Sequence, residues 1–217
     1  MQTAAKLLTL LLTMMLSPAL AAPPGDPVAG REKADTERCL ECHGTAGEGQ
    51  GFSNGTDGKF AKLGGQYPAY IVKQIQDFRS GKRKHEFMKM MATGISDADL
   101  ADIAAYFATL PALAGTPRAA PAAAQDATAH PVARQLYAQG DPARKLPACV
   151  ACHGDGGKGV AGVAPVIGGQ GQRYLEQQLQ DWRNGSRNNS AGGVMNQLAA
   201  PLTDAEIESL ARYVSEM

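Results

Sequence analysis

Residues Gly64 to Arg83 read GGQYPAYIVKQIQDFRSGKR, and residues Gly168 to Arg187 read GGQGQRYLEQQLQDWRNGSR. Ten of these twenty positions are identical without a gap, among them Gln66/Gln170, Tyr70/Tyr174, Asp77/Asp181 and Arg79/Arg183. Only two copies occur, and their separation is too long for a solenoid, so the stretch marks two homologous domains in tandem. In each copy apolar residues recur at helical spacing: Ile71, Ile75 and Phe78, then Leu175, Leu179 and Trp182. That pattern predicts a helix with one buried face, closed by Gly81 or Gly185. Further on, Ser96 precedes Asp99 by three residues and Thr203 precedes Glu206 by three, a start signal for the last helix of each domain. Leu100, Ile103, Ala104 and Phe107 form one stripe on it, with Ile207, Leu210, Ala211 and Val214 in register. Nothing alternates as a strand. The fold class expected is all-α.

Working upstream, each copy begins with the same six-residue pattern, Cys39-Leu-Glu-Cys42-His43-Gly44 and Cys149-Val-Ala-Cys152-His153-Gly154. C-x-x-C-H is the attachment pattern of c-type haem. Thiols two residues apart on a helical turn can each form a thioether to one porphyrin, and the following histidine then faces the iron. A zinc ribbon would need its second cysteine pair much nearer, a thioredoxin-like pair would need a βαβ setting, and simple disulfides would leave both histidines unexplained. The expectation is two covalently bound haem c groups, held by Cys39, Cys42, Cys149 and Cys152, with His43 and His153 as proximal ligands.

The opposite axial ligand is sought between the repeated helix and the last one. Domain one offers Met88, Met90, Met91 and His85; domain two offers Met195, with Met217 at the chain end. Met195 lies eight residues before Thr203 and Met88 eight before Ser96, whereas Met90 and Met91 match Gln197 and Leu198. Register therefore selects Met88 and Met195. Met90 and Met91 read as core packing, a use to which methionine is well suited, and His85 as a solvent-facing residue beside the ligand loop.

At the N-terminus, Lys6, an apolar stretch from Leu7 to Leu16 and the small-x-small Ala19-Leu20-Ala21 read as a cleavable export signal over residues 1–21. The apolar stretch falls short of the ~20 residues that span a bilayer, and no later segment approaches that length. Residues 22–110 are read as the first domain and 127–217 as the second. Between them lies a Pro/Ala connector, PALAGTPRAAPAAAQ, within 111–126. The chain of 217 residues carries 21 Lys+Arg against 21 Asp+Glu, which excludes nucleic acid as a main partner. Aromatic content is 6%, thin for two cores, and a porphyrin in each domain supplies the missing apolar mass.

With these motifs in place the chain resembles the dihaem cytochromes c4 over nearly all of its mature length. The likeness rests on CLECHG and CVACHG, the GGQ–Tyr–Gln–Asp–Arg helices, the methionine loops and Leu146-Pro-Ala-Cys149. It implies two class I cytochrome c domains about a pseudo-two-fold axis, with the haem propionates close together. It also implies electron shuttling in the periplasm, from a quinol-oxidising complex or other donor toward a haem–copper oxidase or other acceptor. One departure stands out. Members carry a proline that presents a carbonyl to each proximal histidine; Pro165 does so in domain two, but its counterpart is Ala61. The loop from His43 is also six residues longer, through FSNGTDG. Unequal potentials of the two haems follow as an expectation.

His/Met ligation fills both axial positions, which favours outer-sphere electron transfer and argues against an enzyme. The alternatives are a dihaem electron-accepting subunit of a flavocytochrome-type dehydrogenase and, further off, a dihaem peroxidase. Partner docking is expected to be electrostatic and transient, with peripheral attachment to a membrane complex left open. Arg79, Lys82, Arg83 and Lys84 form a basic run that is either a docking patch or a solvated helix end. Arg79 and Arg183 are candidates to reach the propionates or Asp77 and Asp181.

Overall fold

The computed structural model describes residues 25–49, 60–112 and 130–217. The stretch read as an export signal, the FSNGTDG loop and most of the Pro/Ala connector lie outside the described residues. Ten α-helices follow one another, and no strand is present among the described residues. Domain one comprises α1 (Pro27–Thr36), α2 (Cys39–His43), α3 (Pro68–Arg79), α4 (Glu86–Gly94) and α5 (Asp97–Thr109). Domain two repeats the order with α6 (Pro131–Gln139), α7 (Val150–His153), α8 (Gln172–Asn184), α9 (Val194–Ala199) and α10 (Asp204–Ser215). The all-α tandem arrangement is thus the observed fold.

Local chemistry sets the helix starts. Asp26 accepts hydrogen bonds from the N–H groups of Val28 and Ala29, and Pro27 occupies the first turn of α1 where no N–H is needed. Ser96 accepts from Asp99 N at α5, and Thr203 with Glu206 closes a full capping box at α10.

The stripes of α5 and α10 form the cores. Leu100, Ile103, Ala104 and Phe107 pack with Ala34 of α1 and Ile71 of α3. Ile207, Leu210, Ala211 and Val214 pack with Leu136 of α6 and Leu175 of α8. Helices α1 and α5 approach so closely that a Cβ on Gly30 would lie 1.9 Å from Asp102 O, which explains glycine there. Lys33 spans the same crossing to Asp99 at 2.7 Å and to Asp102 at 2.5 Å. Domain two uses Arg144, paired with Asp141 and Glu206, each at 2.7 Å.

The two domains meet along the repeated stretch, residue against residue. Gln66 donates to Val166 O at 2.9 Å and accepts from Val166 N at 3.1 Å. Gln170 returns both bonds to Lys62, donating at 3.0 Å and accepting at 2.8 Å. Arg83 crosses to Tyr174 and Gln178, and Arg187 crosses to Tyr70 and Gln74. Each of these bonds is matched by its counterpart in the repeat, so a pseudo-two-fold axis runs through the interface. Both arginines are buried, lying over Phe78 and Trp182 at 4.6 and 4.3 Å from the ring centroids.

Candidate functional site

Each Cys-x-x-Cys-His segment forms a single helical turn that Gly44 or Gly154 ends by turning to positive φ, +81° and +71°. Glycine is required there because a side chain would clash with its own backbone. The chain then curls back, so that Gly49 N donates to His43 O at 2.8 Å and Gly159 N to His153 O at 2.7 Å. This tight return follows the histidine in both copies.

The rings are fixed from that side. His43 Nδ1–H donates to Ala61 O at 2.7 Å, and His153 Nδ1–H donates to Pro165 O at 3.0 Å. With Nδ1 as donor, Nε2 is left as the lone-pair end in each domain. Burial lowers the pKa of both imidazoles, His43 and His153, and keeps them neutral, the form in which nitrogen can act as a ligand. Ala61 therefore supplies the carbonyl that Pro165 supplies in domain two, although it lacks the ring.

No disulfide joins Cys39, Cys42, Cys149 or Cys152. Burial pushes the thiols of Cys39 and Cys149 up to about 11. Cys39, Leu63 and Ile75 each pack against the first core, and Cys149, Ile167 and Leu179 each pack against the second. These half-buried apolar residues occupy matched positions in the two repeats. Two thiols, one imidazole with a free Nε2, and an apolar surround form a donor set that fits covalent haem. Among the described residues no group of three or more His, Cys, Asp or Glu side chains is placed to hold a bare metal ion.

Met88 and Met195 lie near the starts of α4 and α9, and both are half-buried. Their backbone N–H groups are held from outside. His85 Nδ1 accepts from Met88 N at 3.2 Å, and Ser190 Oγ accepts from Met195 N at 3.2 Å. His85 is exposed and acts as the N-cap of α4, a role its sequence neighbours did not reveal. Met90, read as core packing, is instead 62% exposed, because it stands on the far side of α4 from the buried Ala92.

The reading of Arg79 and Arg183 as partners of Asp77 and Asp181 is also corrected. Arg79 pairs with Asp97 at 2.5 Å and donates to Ala92 O at 2.8 Å. Arg183 pairs with Asp204 and donates to Leu202 O at 2.9 Å. Both tie the repeated helix to the start of the last one, where carbonyls and a first-turn carboxylate converge. Sequence reading missed the interface roles of Gln66, Gln170, Gln74 and Gln178; their identity at polar positions of the repeat was the available signal.

The family description "Cytochrome c" matches residues 28–111 and 133–217. Cytochrome c4 of Pseudomonas aeruginosa is 37% identical over 210 residues, covering 96% of this chain and 96% of that protein. A thiosulfate dehydrogenase electron acceptor of Stutzerimonas stutzeri is 34% identical over 179 residues, covering 82% of this chain and 78% of its own length. Among solved structures, reduced recombinant cytochrome c4 from Pseudomonas stutzeri superposes with a TM-score of 0.76 at 33% identity. That match covers 89% of this chain and 99% of the other.

Proposed function

This chain belongs to the dihaem cytochrome c4 family, and on that premise we propose that it carries single electrons between respiratory protein partners in the periplasm. One haem c would be held by Cys39, Cys42, His43 and Met88, and the other by Cys149, Cys152, His153 and Met195. Bound in this way, a haem would supply a one-electron couple. The residues around it contribute orientation and exclusion of water. Ala61 O and Pro165 O hold the imidazoles in one tautomer and one plane. His85 Nδ1 and Ser190 Oγ, which accept from Met88 N and Met195 N, would help to position the two methionines as ligands. The reciprocal bonds of Gln66 and Gln170 tie the two domains together and would keep the two sites at a constant spacing.

The observation that carries this reading is the duplicated turn with its histidine Nδ1 tied to a backbone carbonyl in both copies. Export by residues 1–21 is part of the proposal, and among the described residues no helix is long and apolar enough to cross a membrane. A spectroscopic redox titration of the holoprotein tests it. Two one-electron waves of unequal midpoint are expected, with a methionine–iron charge-transfer band at the red end of the oxidised spectrum. A high-spin ferrous component would contradict the carrier role. A second reading, the electron-accepting partner of a sulfur-compound dehydrogenase, is favoured by the thiosulfate dehydrogenase electron acceptor among the relatives. Co-purification with such an enzyme, and reduction by it in the presence of its substrate, would select that reading.

A further inference from the structure

The basic run of domain one separates into two parts in the folded chain. Arg79 is engaged by Asp97 and by the carbonyls of Ala92 and Ile95. Arg83 is buried in the domain interface. Lys82 and Lys84 remain exposed, and Lys89 on α4 is exposed as well. None of the three is drawn into an ion pair among the described residues. In the same short stretch two apolar side chains stand in solvent, Phe87 at 49% and Met90 at 62% exposure. At 3.6 residues per turn Met90 stands roughly 160° round the helix from Met88. It therefore faces outward whatever occupies the inner side.

Domain two provides an internal control. The matched positions are Ser186, Asn188, Val194, Asn196 and Gln197, and from Asn184 to Thr203 the only charged side chain is the buried Arg187. The duplication has thus kept the scaffold and placed the three lysines and Met90 on one copy alone, while the position matched to Phe87 keeps an exposed apolar residue, Val194.

We propose that this face of domain one is the docking surface for a redox protein partner that presents carboxylates around an apolar contact. The proposal rests on the reading of Met88 as an axial ligand, since Phe87 and Lys89 flank it directly. The lysines would steer the encounter and set its salt dependence. Phe87 and Met90 would exclude water at the contact, methionine adapting to partners of different shape. An anionic lipid surface fits less well: it is read by clusters of about four to eight basic residues, whereas here three lysines share the patch with the exposed Glu86.

The test uses the isotope-labelled, reduced holoprotein titrated with the peptide Glu-Glu-Glu-Leu-Glu-Glu-Glu and followed by amide chemical shifts. Perturbations are expected at Lys82, Lys84, Phe87, Lys89 and Met90, and they should vanish in ~0.5 M salt. Lys82→Gln, Lys84→Gln and Lys89→Gln together should weaken binding by about tenfold. Phe87→Ser should weaken it while leaving the salt slope unchanged. A second variant, Ser186→Glu, Asn188→Glu and Gln197→Glu, makes the same change in net charge on domain two and should leave the perturbed residues and affinity unaltered. Equal loss in both triple variants, or shifts spread over both domains, would overturn the proposal. So would lysine-dependent binding to phosphatidylglycerol vesicles without peptide binding, or self-association abolished by Phe87→Ser. The visible spectrum of each variant reports haem attachment and ligation. If Met88→Ala leaves methionine ligation intact, the ligand assignment fails while the peptide map still stands or falls on its own.

Discussion

His43 and His153 are each oriented by a carbonyl three residues ahead of a Gly-Gly pair, yet one carbonyl belongs to Ala61 and the other to Pro165. The hydrogen bond does not need the proline ring, because either residue offers a backbone carbonyl and the fixed φ of proline only stiffens it. Axial ligation is the property to test at this scale. Met88→Ala should remove methionine ligation from one haem only, seen as loss of about half the charge-transfer band in proportion to the two-domain design. Met90→Ala should leave the band intact, since that side chain lies in solvent. A second residue-scale prediction concerns acid. The Arg144 guanidinium, hydrogen-bonded to Glu206, holds its carboxyl down at about 2 against an ordinary value of 4.5. Between those values the unfolded chain binds the proton and the folded chain does not. The stabilisation is therefore complete above pH 4.5 and is lost as pH falls through about 2. Glu206→Gln should flatten that part of the stability–pH curve for domain two, as measured by denaturant unfolding across the window.

Among the elements, the repeated helices α3 and α8 have two jobs on adjoining faces. Ile71 and Leu175 enter their own cores, while Gln74, Gln178, Tyr70 and Tyr174 serve the arginines of the other domain. The apolar face was legible because helical periodicity reports burial in one domain's core. The polar face was legible only as identity between repeats. Its partner is a symmetric copy of itself, and a single helix carries no periodic signal for that. The stretches before these helices meet in the same way through Gln66 and Gln170. Gln66→Ala would leave Val166 N–H and C=O without partners in a buried setting, at a cost of about 1–3 kcal/mol. Thermal unfolding should show the two domains melting less cooperatively, and the double variant with Gln170→Ala should separate them further. Unchanged melting in the double variant would show that the reciprocal bonds contribute little to holding the domains together.

For the whole molecule, few aromatics and two small cores predict that each domain depends for its stability on what its cysteines bind. Cys39→Ser with Cys42→Ser should prevent cooperative folding of domain one, read as loss of its unfolding transition while that of domain two persists. Full helical content and a sharp transition without attached haem would contradict this. The near-neutral balance of 21 basic and 21 acidic side chains conceals a local imbalance, because the lysines of domain one have no counterpart in domain two. By itself the sequence determined the duplication, the all-α class, the haem-attachment turns and the capped final helices. Each is encoded by spacing within a few residues or by comparison of one repeat with the other. Only the tertiary structure decided which arginines are structural, that His85 caps the helix bearing Met88, and that Met90 faces water. It alone also showed that matched glutamines bind across a pseudo-two-fold axis. Such roles depend on which groups from distant parts of the chain arrive at the same place, and burial and hydrogen-bond partnership become defined only when they do.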